Sequence, residues 1–174
     1  MKTMAALILS FVLLAVGGPA IAEITQTDVL VVGRAMGFVE GFGGRTVRMG
    51  IVFAAGSPQS VQEANELKTI LGNQFRVGNN VLVPVLLRSD QVIDTDVGMF
   101  FLTGGIGAAA EKVATASKER KIPCITFDLA QVRNGTCTLG VQSQPKIDVF
   151  INRHAAAQSN TVLSSVFRLM VHEL

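Results

Sequence analysis

Apolar residues follow two rhythms along this chain: short unbroken runs bounded by glycine, proline or acidic residues, and four-residue spacings in the segments between them. In ITQTDVLVVGRAMGFVEGFGG, Leu30, Arg34 and Phe38, and Val31, Ala35 and Val39, recur every four residues. This predicts a helix over 29–40, with Thr27 or Asp28 as its cap. VRMGIVFA, from Val47 to Ala54, reads as a buried strand. Ser57 as N-cap and Pro58 at the first helical position announce the next helix, with Val61, Ala64, Leu67 and Leu71 on one face and Gly72 as its stop.

VLVPVLL, from Val81 to Leu87, predicts another strand, placed at a sheet edge because Pro84 has no N–H for a ladder. DVGMFFLT is a central buried strand that leads through a glycine cluster into a helix ending near Arg120, and IPCITFD is the strand after it. TCTLGVQ and KIDVFIN, joined through SQPK, predict an antiparallel hairpin. A last helix over 163–173 is expected to turn Val166, Leu169 and Met170 onto the sheet. Strands alternating with amphipathic helices make this an α/β chain. The expected architecture has three layers around a mostly parallel, doubly wound, flavodoxin-like sheet with a C-terminal antiparallel hairpin.

The first residues concern location. Lys2, an apolar run from Met4 to Val16 and small residues at Ala20 and Ala22 predict a secretory signal peptide over 1–22, cleaved after Ala22. Gly17, Gly18 and Pro19 directly after the run speak against the alternative, an uncleaved membrane anchor. Residues 23–174 then form one domain of about 150 residues, enough for a real core. The expected site of action is the periplasm. A formal charge of +2 gives no electrostatic footprint for nucleic acid, and ten Phe with no Trp or Tyr serve stacking on bases or sugars poorly. Cys124 and Cys137 flank LAQVRNGT, read as a loop between two strands. In an oxidising compartment they either bridge and staple that loop or remain two buried thiols.

The glycine cluster FFLTGGIGAAAEK raises a sharper question. Gly105, Gly107 and Ala110 fit G-x-G-x-x-G/A, and Asp128 lies some 20 residues further on, where a ribose-binding acid belongs. Against a dinucleotide site, this unit comes late in the chain and export removes the protein from cytosolic cofactors. The plainer reading is a tight turn out of a parallel strand into a small-residue helix. A third reading uses the crevice at the carboxyl ends of the strands for a non-nucleotide ligand, to which Ser57, Thr103, Gly105 and Asp128 all map.

Other chemistry is sparse. His154 and His172 lack metal-ligand spacing, His154 following an Asn152 cap and His172 sitting in a last helical turn. G-x-S-x-G is absent. Asp90, Asp94 and Asp96 read as a solvated loop, and KERK, Lys118 to Lys121, as a helix end facing water. No catalytic residue, metal or cofactor is expected.

Two resemblances follow from these residues. NGTCTLGVQSQPKIDVFINRHAAAQSNTVLSSVFRLM is similar to the end of YfiR-like periplasmic proteins (the DUF4154 group), in Gly135, Ile151, Asn152, Ala155, Ala156, Ser164, Ser165 and Leu169. That resemblance implies a non-catalytic periplasmic regulator that restrains a membrane-bound diguanylate cyclase through its periplasmic sensor portion, and it implies a homodimer. The middle of the chain, residues 47–128, also resembles one lobe of the ABC-type periplasmic substrate-binding proteins of type I fold. Those proteins clamp a ligand between two lobes, and this chain has residues for one. The alternative it implies is a small-molecule sensor or an accessory component of a transporter.

Overall fold

In the computed structural model, which describes residues 24–174, the predicted rhythms become eight strands and six α-helices. The predicted signal peptide and its cleavage site lie outside the described residues. The elements are α1 (Gln26–Gly37), β1 (Thr46–Phe53), α2 (Pro58–Leu71), β2 (Phe75–Val77), β3 (Asn80–Arg88), β4 (Met99–Leu102), α3 (Ala110–Arg120), β5 (Cys124–Thr126), α4 (Leu129–Arg133), β6 (Leu139–Gln142), β7 (Asp148–Ile151), α5 (Arg153–Gln158), α6 (Ser165–Arg168) and β8 (His172–Glu173). One mixed sheet holds them in the order β2-β3-β1-β4-β5-β6-β7-β8. From β3 to β6 every pairing is parallel. Those five strands follow the order of flavodoxin-like doubly wound sheets.

The two faces are separate cores. Met49, Ile51, Met99 and Phe101 point to one face, where Val32 and Met36 of α1 and Ala64, Leu67 and Leu71 of α2 cover them. Val52, Phe100 and Leu102 alternate to the other, under Ala110, Val113 and Ala116 of α3. Burial on both faces explains why β4, with all four residues buried, has no polar position.

Local signals decide the helix ends. Thr25 caps α1 in a capping box with Asp28, so the helix begins earlier than its apolar rhythm implies. Burial pushes the Asp28 carboxyl up, but hydrogen bonds from Ser143 and Thr25 outweigh it and hold the group below its ordinary range. The Ser143 contact also ties α1 to the β6–β7 hairpin. Ser57, Pro58 and Gly72 bound α2 as their chemistry predicts.

The placement of β3 is a correction. It lies inside the sheet, between β2 and β1, because the short strand β2 follows Gly72 and returns through Gly78. Pro84 nevertheless meets no ladder demand on its outer side, since β2 pairs only as far as Leu82. Arg120 also departs from the expectation of a solvated end: its guanidinium donates to the Val92 and Val97 carbonyls and lies over the Phe100 ring. Asp96 and Asp90 do sit at the surface, paired with Arg48 and Arg88.

The C-terminal segment departs furthest from its pattern. The helical stretch is only α6, four residues long, and the chain then pairs in parallel with β7 as β8. Within α6, Phe167 alone turns inward, stacked on Phe38. Val166, Leu169 and Met170 do not close the sheet; they are 65%, 89% and 65% exposed. His172 is therefore no helix-end residue but a strand residue bonded to Asp148, while Arg153 pairs with Glu173. A free edge at β7 and these ion pairs outcompete continuation of a short helix with one buried anchor.

Cys124 and Cys137 form a disulfide, with Cα atoms 4.7 Å apart and both residues fully buried. The segment between them is not a simple loop, because Asp128 caps α4 there. The bridge closes a span of 13 residues, for which loop entropy contributes about 3 kcal/mol. Reductant is expected to lower the urea midpoint by a corresponding amount. A midpoint unmoved by reductant would show that the bridge adds nothing to stability.

Candidate functional site

Winding direction reverses between two adjacent strands. After β1 the chain crosses to the face covered by α2, and after β4 it crosses to the face covered by α3. The loops leaving these neighbours diverge, and in open α/β sheets that divergence makes the ligand crevice. Residues 54–57 form one lip and Thr103 to Gly107 the other.

The floor of the crevice is polar and fully satisfied. Thr103 and Ser60, each with no exposed surface, share a hydrogen bond of 2.6 Å. The Thr103 hydroxyl donates to the Val52 carbonyl, so in the shared bond the Ser60 hydroxyl donates and Thr103 accepts. The Ala54 N–H donates to Ser60 Oγ at 2.9 Å. Buried polar groups of this kind stay native only when paired, and here the pairing ties α2, β1 and β4 together.

Above that floor lies the glycine turn. Gly105 and Gly107 have φ of 63° and 58°, which gives the glycines a backbone reason. A Cβ on Gly105 would lie 2.9 Å from Gln59 Oε1 and 3.1 Å from Ser57 Oγ. The space over the turn is thus filled by side chains of α2. Glu63 reaches across as well: its Oε2 accepts the Gly104 N–H at 2.8 Å, while Oε1 is buried with no partner. Burial, opposed by the Gly104 hydrogen bond and assisted by the Asp128 and Glu66 carboxylates, pushes the Glu63 carboxyl up to about 7.

Three of the four predicted residues therefore surround one point. Ser57 caps α2 at the near lip, Thr103 is the floor and Gly105 is the turn. Asp128 stands at the end of the next strand, β5, where its Oδ1 accepts the Ala130 N–H and its charge is felt at Glu63. Gln59, Ser60 and Glu63 escaped the sequence reading. Their signal was available: they occupy the first two turns of a helix that begins at a strand end, and 59 and 63 are spaced to share a face.

Elsewhere the larger concavities are shallow. One of about 800 Å³ runs along the outer side of α2, lined by Ile24, Pro58, Val61, Asn65, Glu66 and Ile70 among others. It adjoins the crevice but does not contain Thr103 or Gly105.

No family model matches this chain, and no curated protein matches it. Among solved structures it is similar to a conserved domain protein from Vibrio cholerae, with a TM-score of 0.57 and 15% identity. The match covers 85% of this chain and 59% of the other, so this chain spans less than two thirds of its neighbour's length. The likeness is one of fold.

Glu63 makes stability depend on pH in a definite direction. Its folded value, about 7, lies above the ordinary 4.5, so the native state binds the proton more tightly than the unfolded chain. The stabilisation is complete below about 4.5 and is lost as pH rises through about 7, a swing on the order of 3 kcal/mol. E63Q removes the titration, so relative to wild type it should gain stability as the pH is raised from about 4.5 to about 8. Urea unfolding of both proteins across that range checks this; a constant difference between them would refute it.

Proposed function

We propose that this chain is an exported, non-catalytic regulatory protein of the YfiR-like kind, which docks on the periplasmic portion of an inner-membrane signalling protein such as a diguanylate cyclase or a sensor kinase. The observation that carries this reading is the C-terminal surface. Val162, Val166, Leu169 and Met170 expose their side chains within nine residues of chain, beside Phe38, which is itself 40% exposed. The segment is pinned to the body through the Phe38–Phe167 stack, the Val39–Leu163 bridge and the Ser164 N–H donating to the Phe38 carbonyl. Single exposed apolar side chains are ordinary, but a cluster held on a fixed frame is what a protein partner buries.

Two further observations support the reading. The disulfide suits an oxidising compartment outside the cytoplasm. Of the residues that carry the family resemblance, Asn152 and Ser164 are the N-caps of α5 and α6, and Leu169 lies on the exposed apolar surface.

A second reading is favoured by the crevice. Ser57, Thr103 and Gly105 come together where α/β sheets bind ligands, which supports a small-molecule sensor or an accessory solute-binding component of a transporter.

The tests separate the two. Photo-crosslinking from position 166 in intact cells is expected to yield one adduct with an inner-membrane signalling protein, identified by mass spectrometry. L169E and M170E should reduce that adduct about tenfold with the melting temperature unchanged, because neither side chain is buried. Adducts unaffected by both substitutions would count against the docking surface. Amino acids, carboxylates and phosphates screened by thermal shift address the second reading: a ligand at 100 times its Kd adds about 2.7 kcal/mol, and silence across the set rejects it.

A further inference from the structure

We propose that Glu63 is a proton-controlled latch over the crevice: while its carboxyl is neutral it holds the β4–α3 turn against α2, and on ionisation it swings to solvent and opens the turn. The proposal concerns access to the crevice and does not depend on what occupies it.

The geometry places one oxygen on each side of the question. Oε2 accepts the Gly104 N–H at 2.8 Å, a direct link from the middle of α2 to the turn. Oε1 is buried and has no partner. A neutral carboxyl tolerates one unpaired oxygen at modest cost, whereas a carboxylate without a compensating donor or cation is far more expensive. Among the described residues no such cation acts on it. The charged groups felt at Glu63 are Glu66 on its own helix and Asp128 from the turn after β5, both acidic; Ser57, Gln59 and the glycines of the turn are neutral. Ionisation therefore adds a negative charge where two neighbouring carboxylates already oppose it. Water is within reach, since Glu63 as a whole residue is half-buried, not sealed.

The turn is built to respond. Thr103 is anchored by its N–H and hydroxyl to the Val52 carbonyl and by Ser60, so the strand end stays fixed. Gly105 and Gly107 follow immediately in positive φ, where a pivot costs little. Gly104 lies between anchor and pivots, and its N–H is the group that Glu63 holds. When the carboxyl leaves, that N–H is freed toward the crevice, while the floor beneath is unchanged. A folded-state value of about 7 puts the transition near neutral pH.

Amide exchange of Gly104, read by NMR on the whole protein and corrected for intrinsic exchange, tests the latch directly. Protection of Gly104 should fall about tenfold or more between about pH 5.5 and about pH 8.5, with the amides of β1 unchanged. E63Q, neutral at both values and still able to accept the Gly104 N–H, should keep the amide protected at both. E63A should leave it unprotected at both. Protection of Gly104 that ignores pH in the wild type overturns the proposal, as does a pH-dependent loss that persists in E63Q. Should a variant fail to fold, the wild-type titration of Gly104 measured against β1 decides alone.

Discussion

The parallel pairing of β1 with β4 is the constraint on which the rest of this molecule depends. These strands sit at the centre of the sheet, and their side chains are divided between two cores. Each face must then be covered by a helix. Right-handed crossovers send α2 to one side and α3 to the other, so the loops at the strand ends separate. Every feature of the candidate site follows from that separation: the paired hydroxyls beneath it, the glycines that turn away from it and the acid that bridges it.

Filling of the crevice by the chain's own side chains gives it a character that a motif alone does not convey. Glycines at a strand-to-helix turn are read as an anion cradle when their N–H groups are open. Here a carboxyl from α2 already sits on the Gly104 N–H, and Gln59 and Ser57 crowd Gly105. The arrangement ties α2 to the turn through a group whose charge state is set by burial and by its acidic neighbours. Structure and control are thus vested in the same few atoms.

At the opposite side of the sheet a different compromise prevails. The edge left open by β7 is covered by a strand of only two residues, both charged or chargeable and held by ion pairs to Asp148 and Arg153. Short, polar edge strands discourage indiscriminate sheet extension. The preceding residues, by contrast, present apolar side chains around two buried anchors, Leu163 and Phe167. A blunted edge thus lies beside an exposed apolar surface, so this end of the sheet offers side chains and not backbone to its surroundings.

The sequence by itself determined what depends on local chemistry and on buried runs. The α/β alternation, the central strands, the Ser57–Pro58 start and Gly72 end of α2, and the β6–β7 hairpin were all legible, because caps, turns and two-sided burial are written in neighbouring residues. So was the location of Ser57, Thr103 and Gly105 at one sheet edge, since strand ends follow from strand positions. Only the tertiary structure decided which competing partner each ambiguous segment met. Three residues of β2 are too few to show a period, yet they cover part of β3. The spacing after Ser164 fits a helix, but the unpaired backbone of β7 was available to it. Nothing beside Glu63 in the sequence marks it for burial: the β4–α3 turn, some 40 residues away, folds over it and takes away much of its water.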